Sequence, residues 1–181
     1  AVRLWCNKFG RLYADKLRQS HNGYGDTYFL DEVFVRIQGK QFYLWRAIDQ
    51  DGEIVDVVLQ GRRDGKAAKR FFRRLLVAQG EPRKIFTDKS GSYRVALRDV
   101  MPEVLHDTSR YANTRAERSH ERTRFRERGM CKFKSPIQAQ QFLEVHSAVS
   151  NLCKLGRHLM AARHYRELRT GAFEAWDEAT A

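Results

Sequence analysis

The sequence predicts an α/β fold, a mixed five-stranded sheet flanked by helices, and three observations carry that prediction. Three strand patterns follow one another across two short turns, helical and strand periodicities then alternate, and an amphipathic helix closes the order. Residues 1–20 open with a helical face of Val2, Trp5, Phe9, Leu12 and Leu17, which His21-Asn22-Gly23-Tyr24-Gly25-Asp26 interrupts as a turn or linker. Thr27 to Gln38 reads as a strand, Gly39-Lys40 as a turn, and Phe42 to Ile48 as a second strand. Asp49-Gln50-Asp51-Gly52 is a strong turn before a third strand, Ile54 to Leu59. Turns this short require antiparallel neighbours.

Asp64 is placed to cap the next helix, in which Ala67, Ala68, Phe71, Phe72, Leu75 and Leu76 recur at helical spacing until Gly80 and Pro82. Lys84 to Thr87 reads as a short strand, Tyr93 to Val100 as a helix, and Val104 to His106 as a fifth strand. Arg115 to Arg128 is polar and helical. Ser135-Pro136 then starts the last helix, with Ile137, Phe142, Leu143, Val145, Val149 and Leu152 expected to face the core. A three-strand meander followed by alternating helices and strands is the RNase H-like order, which other α/β domains can also produce.

The net charge of +12 and a pI near 10 suit a polyanionic partner, nucleic acid above all. The cations are clustered, which argues against a uniform solubilising excess: nine Lys or Arg lie within 109–134 against three acids, and seven more lie within 62–74. No stretch approaches the roughly 20 apolar residues of a membrane span, and the N-terminus lacks the organisation of a secretory signal. Cys6, Cys131 and Cys153 are far apart and form no paired-ligand spacing, so they read as reduced thiols of a cytosolic protein. The six histidines form no zinc signature, and His158 and His164 read as surface residues.

Three carboxylates stand out. Asp31 interrupts the apolar strand face of Phe29, Val33, Val35 and Ile37, where a charge is costly unless a cation or hydrogen bonds offset it. Glu32 points to the other face and reads as structural. Asp88 ends the strand Ile85-Phe86-Thr87 before a small-residue loop, where open α/β sheets place ligands. Glu117 shares a helical face with His120, Glu121 and Arg124. Singly, Asp31 reads better as a strand-edge aspartate and Glu117 as a solvated ion-pairing glutamate, while Asp88 reads equally well as a turn aspartate. Together they can converge at one end of the sheet, and like charges brought so close call for divalent metal. Hard oxygen ligands favour Mg²⁺ or Mn²⁺, and two ions could serve in-line phosphoryl transfer.

Several short runs closely resemble the bacterial DDE transposases of the insertion-sequence-six family. They are Leu30-Asp31-Glu32-Val33, Leu44-Trp45-Arg46-Ala47-Ile48-Asp49, Arg62-Arg63-Asp64 with Ala67-Ala68-Lys69-Arg70-Phe71, Thr87-Asp88-Lys89 with Ser92-Tyr93, Arg115-Ala116-Glu117 with Ser119-His120, and Phe133-Lys134-Ser135. The likeness covers about residues 27–160, in register. It implies an RNase H-like catalytic domain over 27–160, with Asp31, Asp88 and Glu117 as catalytic and metal-binding triad. It implies metal-dependent DNA strand cleavage and strand transfer with Mg²⁺ (or Mn²⁺), two ions being expected. DNA contacts are expected from Lys89, Tyr93, Arg115, Arg118, His120, Arg124 and Arg126. Transposon ends and target DNA are the implied partners, with a homo-oligomer assembled on DNA, no membrane, and a bacterial cytoplasmic, nucleoid-associated location. Residues 1–26 are expected to be a remnant of an N-terminal DNA-binding region and linker in a truncated chain, and 161–181 a C-terminal tail. Arg124-Phe125-Arg126 departs from the uninterrupted arginine run that family members often carry. The same carboxylates would also serve an RNase H-like nuclease or integrase on another substrate, and a DNA-binding remnant would keep the fold without turnover.

Overall fold

The computed structural model describes residues 2–21, 23–88, 91–109, 125, 133–154 and 160–181, with side chains in the first helix described from Lys8 onward. Its elements run α1 (Val2–Gln19), β1 (Thr27–Ile37), β2 (Lys40–Asp49), β3 (Ile54–Gln60), α2 (Gly65–Gln79), β4 (Lys84–Phe86), α3 (Gly91–Val100), β5 (Leu105–Asp107), α4 (Pro136–Leu152) and α5 (Ala162–Thr180). The five strands form one sheet in the order β3-β2-β1-β4-β5. β1, β2 and β3 pair antiparallel as the expected meander, whereas β4 runs parallel to both β1 and β5. This is the mixed RNase H-like sheet. Two compact units divide the chain, residues 23–140 in one and residues 1–22 with 141–181 in the other.

The hairpin turns follow from their residues. Gln38 and Gly39 both take positive φ between Ile37 and its partner Lys40, the backbone hand that suits a two-residue hairpin. At the second turn Asp49, 1% exposed, accepts hydrogen bonds from the amides of Asp51 and Glu53 at Oδ1 and from Gly25 at Oδ2. A Cβ on Gly25 would lie 1.9 Å from the Gln50 side chain, whose Oε1 accepts from the Thr27 amide. A larger residue there would displace the Gln50 carboxamide and its hydrogen bond to Thr27.

One face of the sheet supplies Tyr28, Leu30, Trp45 and Ala47 to the core of residues 23–140. Ala67, Ala68, Phe71, Phe72 and Leu75 of α2 close over them, with Tyr93, Ala96 and Leu97 of α3. Asp64 caps α2 as expected, its Oδ1 accepting from the Ala67 amide at 2.8 Å. Asp64→Ala should therefore destabilise the domain by about 1 kcal/mol, read as a shift in urea midpoint. An unchanged midpoint would show the cap to be dispensable.

Ser135 caps α4 through the Gln138 amide, while the Gln138 side chain accepts from the Lys134 amide, a variant of the capping box with Pro136 in the first turn. The inward stripe of α4 is largely the expected one: Leu143 is buried, and Val145, Val149 and Leu152 pack against the core of their unit. Ile137 is 74% exposed, and the buried positions are Ala139, Leu143, Ser147, Ala148 and Asn151. Two of the buried positions, Ser147 and Asn151, are polar, which hydrophobicity alone does not show. Gln140 meets the outer edge of β3: its Oε1 accepts from the Leu59 amide at 2.8 Å and its Nε2 donates to the Val57 carbonyl at 3.0 Å.

Residues 162–180, expected as a tail, are helical. In their own unit Ala179 and Trp176 pack with Ala14 and Leu17 of α1 and Ala148 of α4, and Tyr13 meets Trp176 edge-on at 6.4 Å. No described helix is long and apolar enough to cross a membrane.

The parallel strands are tied at their ends by ions. Lys84 Nζ lies 2.8 Å from Asp107 Oδ2, and Arg83 Nε 2.8 Å from Asp26 Oδ2. Lys84 and then Ser109 hold Asp107 far below the ordinary carboxylate range, and Arg83 and Thr27 lower Asp26. Folded values below the unfolded ones mean that this stabilisation is present above about pH 4 and is lost as pH falls through the folded values. Asp107→Asn should flatten the acid limb of the stability curve, and an acid limb as steep as in the parent would overturn that assignment.

Candidate active site

The two sequence-predicted aspartates both follow the parallel β1–β4 pairing. Thr27, Tyr28 and Phe29 are matched to Lys84, Ile85 and Phe86, and Asp31 and Asp88 each come two residues after the last matched pair, Asp31 still within β1 and Asp88 just past the end of β4. Phe29 and Phe86 stack at 4.7 Å just behind them. Neighbouring strands lie about 4.8 Å apart, so the pairing carries both acids to the region where β4 ends. Hydrogen bonds from Thr87 steady that end: its amide donates to the Asp107 carbonyl, its hydroxyl donates to the Asp88 carbonyl, and the hydroxyl lies 2.8 Å from His106 Nε2.

Across β2, Arg46 is the register partner of Asp31 and is only 2% exposed. Burial pulls its guanidinium down to about 10, while the Asp31 carboxylate acts in the opposite direction. A buried cation thus faces the first aspartate and offsets its charge.

On the other face of β1, Glu32 does point away from Asp31, as the alternation requires, yet it belongs to the same neighbourhood. Its side chain is 1% exposed and takes a hydrogen bond on each carboxylate oxygen, from Arg63 Nε on Oε1 and from the Tyr93 hydroxyl on Oε2. The same guanidinium places Nη2 3.2 Å from Asp88 Oδ2. Burial raises the Glu32 carboxyl, and the Tyr93 hydroxyl and Arg63 charge counteract this. Burial also pulls Arg63 down, but Glu32 and Asp88 outweigh it and leave the guanidinium raised. Burial, then the Glu32 charge, push the Tyr93 phenol well above its ordinary value, which keeps it a neutral donor.

Tyr93 was expected to touch DNA, and its position corrects that expectation. It is fully buried, with its ring against Trp45 at 5.6 Å and Phe72 at 6.0 Å. Direct contact with a nucleic acid is closed to it. Glu117, Lys89, Arg115, Arg118, His120, Arg124 and Arg126 lie outside the described residues. Phe125, described within that stretch, is helical and 74% exposed. Among the described residues no three metal-capable side chains form a cluster, and of the three carboxylates expected to converge only Asp31 and Asp88 are among the described residues. Their donor set suits a hard divalent cation: two carboxylates, each with a nearby guanidinium, Arg46 beside Asp31 and Arg63 beside Asp88. Sequence reasoning missed Arg63 and Arg46, and part of the 62–74 charge is engaged internally. Arg74 Nε is 2.9 Å from Asp56 Oδ2, Lys69 pairs with Asp99, and Arg70 Nε bonds Gln60 Oε1 at 3.1 Å.

This sheet order, with an aspartate on β1 and another just past the end of the neighbouring parallel β4, is that of an RNase H-like domain. Comparison with known proteins agrees. Residues 25–156 match the family model DDE_Tnp_IS240, described as a DDE domain. The chain belongs to this family, the DDE transposases of the insertion-sequence-six group. Among curated relatives it is 31% identical over 130 residues to the transposase for insertion sequence-like element IS431mec of Staphylococcus aureus. It is equally similar to the transposase for insertion sequence element IS257 in transposon Tn4003, also of Staphylococcus aureus. The matches cover 69% of this chain, which spans 58% of the length of those relatives. Among solved structures, the fold is similar to the HTLV-2 integrase catalytic core domain in complex with magnesium, trimeric form, at TM-score 0.51 and 13% identity over 78% of this chain and 93% of that one. A simian T-cell lymphotropic virus intasome in complex with PP2A regulatory subunit B56 gamma gives TM-score 0.50 and 14% identity over 69% of this chain and 48% of that one. Identities this low speak for the fold alone.

Proposed function

We propose that this chain is the catalytic domain of a DNA transposase, cutting and joining DNA strands with Asp31, Asp88 and Glu117 around divalent metal. The observation that supports the reading is the parallel pairing of β1 with β4, from which Asp31 and Asp88 each follow two residues after the last matched pair, Phe29 and Phe86. Mg²⁺ is the proposed metal, with Mn²⁺ as a substitute and two ions as the working number. Bound there, the metal would supply the charge that activates an attacking oxygen and stabilises a leaving one. The chain's own residues then hold the oxygen donors in place and neutralise their mutual repulsion through Arg46 and Arg63.

DNA is the proposed partner, gripped at its phosphates by Lys89, Arg115, Arg118, His120, Arg124 and Arg126, and a homo-oligomer assembled on DNA is the proposed working form. The cationic balance of +12 supports this. Removing one phosphate contact, as in Arg124→Ala, should lower the slope of log affinity against log salt by about 0.9 on duplex DNA. An unchanged slope and affinity would mean a solvated arginine.

The deciding experiment supplies a duplex with a free 3′-hydroxyl end and a supercoiled target, with Mg²⁺ or with chelator. Joined product that requires Mg²⁺ is expected. Metal-dependent nicking without joining would move the chain to the nucleases, and DNA binding without any turnover would make it a non-catalytic remnant.

A further inference from the structure

We infer that Arg63 is a positioning residue for Asp88, held in place by a buried anchor made of Glu32 and Tyr93. The inference rests on the metal-site reading above and deepens it by giving Arg63 an orienting role, anchored by Glu32 and Tyr93. The relay is continuous: the Tyr93 hydroxyl donates to Glu32 Oε2, Arg63 Nε donates to Glu32 Oε1, and Arg63 Nη2 donates to Asp88 Oδ2 at 3.2 Å. Each link is stiffer than the next. Tyr93 is fully buried in the aromatic core, the Glu32 side chain is 1% exposed, and Arg63 and Asp88 are 45% and 40% exposed. Rigidity is therefore carried from the core to a carboxylate two residues beyond the end of β4.

The chemistry of each member fits that role. Both oxygens of Glu32 receive donors from within the protein, which marks it as an anchor and explains why an acid next to Asp31 is not itself a ligand. Arginine alone among the cations offers a planar fork whose separate nitrogens can serve two carboxylates at fixed angles, whereas a lysine is a point charge on a flexible stem. Charge also matters. A lone guanidinium beside Asp88 would repel a divalent cation, but Glu32 balances Arg63, so Asp88 receives a directed N–H from a pair of zero net charge. Removing Arg63 thus has two opposed consequences. Lost repulsion would tighten metal binding, and lost orientation would weaken it. With Glu32 already balancing the charge, orientation dominates.

The test measures Mn²⁺ binding to the full chain by calorimetry and by the resonance of free Mn²⁺, at fixed pH and salt. Arg63→Ala should bind Mn²⁺ roughly tenfold more weakly, the scale of losing an outer partner of a metal ligand. Arg63→Lys should restore little of this, because the fork and not the charge is what acts. Glu32→Gln should weaken binding in the same direction, and the double variant Glu32→Gln/Arg63→Ala should be no worse than Arg63→Ala. Arg63 is half exposed, so its variants keep the test open even where Glu32→Gln fails to fold. Mn²⁺ binding by Arg63→Ala that equals or exceeds the parent, or full rescue by Arg63→Lys, overturns the inference. Asp88→Asn separates the two levels: it must lose binding if the metal site is correctly read, and parental binding there overturns that reading together with this one.

Discussion

Asp31→Asn and Asp88→Asn are each expected to lower metal-dependent strand transfer by more than about a hundredfold while duplex binding persists, because an amide keeps the shape of the ligand and removes its charge. The two variants should nevertheless differ in stability. Asp88 is 40% exposed at a strand end, and its replacement should leave the urea midpoint within about 0.5 kcal/mol of the parent. Asp31 faces the buried Arg46 across β2, and its carboxylate offsets the burial of that guanidinium. Asn at position 31 removes the offset and should destabilise the domain by about 1–3 kcal/mol. Strand transfer and urea denaturation on both variants check this. Equal stability losses would mean that Arg46 does not depend on Asp31, and retained transfer by either variant would remove that aspartate from the catalytic set.

The largest effect on folding is expected at Trp45. It is wholly buried at the centre of the sheet, 5.9 Å from the Phe71 ring and 5.6 Å from Tyr93, and it is the register partner of Glu32. Trp45→Ala should cost about 3–5 kcal/mol through lost burial and the cavity left behind. Against a total stability of about 5–15 kcal/mol, this brings the domain near unfolding. Trp45→Phe should behave quite differently. The indole Nε1 is buried and makes no hydrogen bond among the described residues. A phenyl ring gives up no bond there and also removes the penalty of an unsatisfied donor, of the order of 1–3 kcal/mol. The loss of ring volume is offset accordingly, and Trp45→Phe should stay within about 1.5 kcal/mol of the parent by urea denaturation. A loss comparable to that of Trp45→Ala would show that the indole is irreplaceable for its shape.

Much of the fold was legible because local chemistry and global topology agree. Asp64 is both a good cap and the start of the helix, and Asp49-Gln50-Asp51-Gly52 holds its turn by the side chain that its sequence suggests. Failures of legibility share one cause, partners distant in sequence. Alternation correctly sends Glu32 away from Asp31, but its link back to Asp88 runs through Arg63, 31 residues later. Nothing at Arg63 is periodic, and only the folded sheet shows that one guanidinium spans two acids. Tyr93 illustrates the converse: a residue grouped with DNA contacts by resemblance is a core side chain once α3 packs on Trp45 and Phe72. In α5 the signal was present, since Tyr165, Leu168, Ala172, Trp176 and Ala179 recur at helical spacing, but abundant charges diluted it.

The two hydrogen bonds from Gln140 to β3 have a consequence beyond local packing. β3 is the outer strand of the sheet, and such a strand offers a ladder of amides and carbonyls to any passing chain. The amide of Gln140 copies a peptide group, taking the Leu59 N–H and supplying the Val57 carbonyl with a donor. A single side chain thus impersonates a sixth strand. Strand-to-strand polymerisation of this domain is blocked at that site by a residue that has no part in its chemistry.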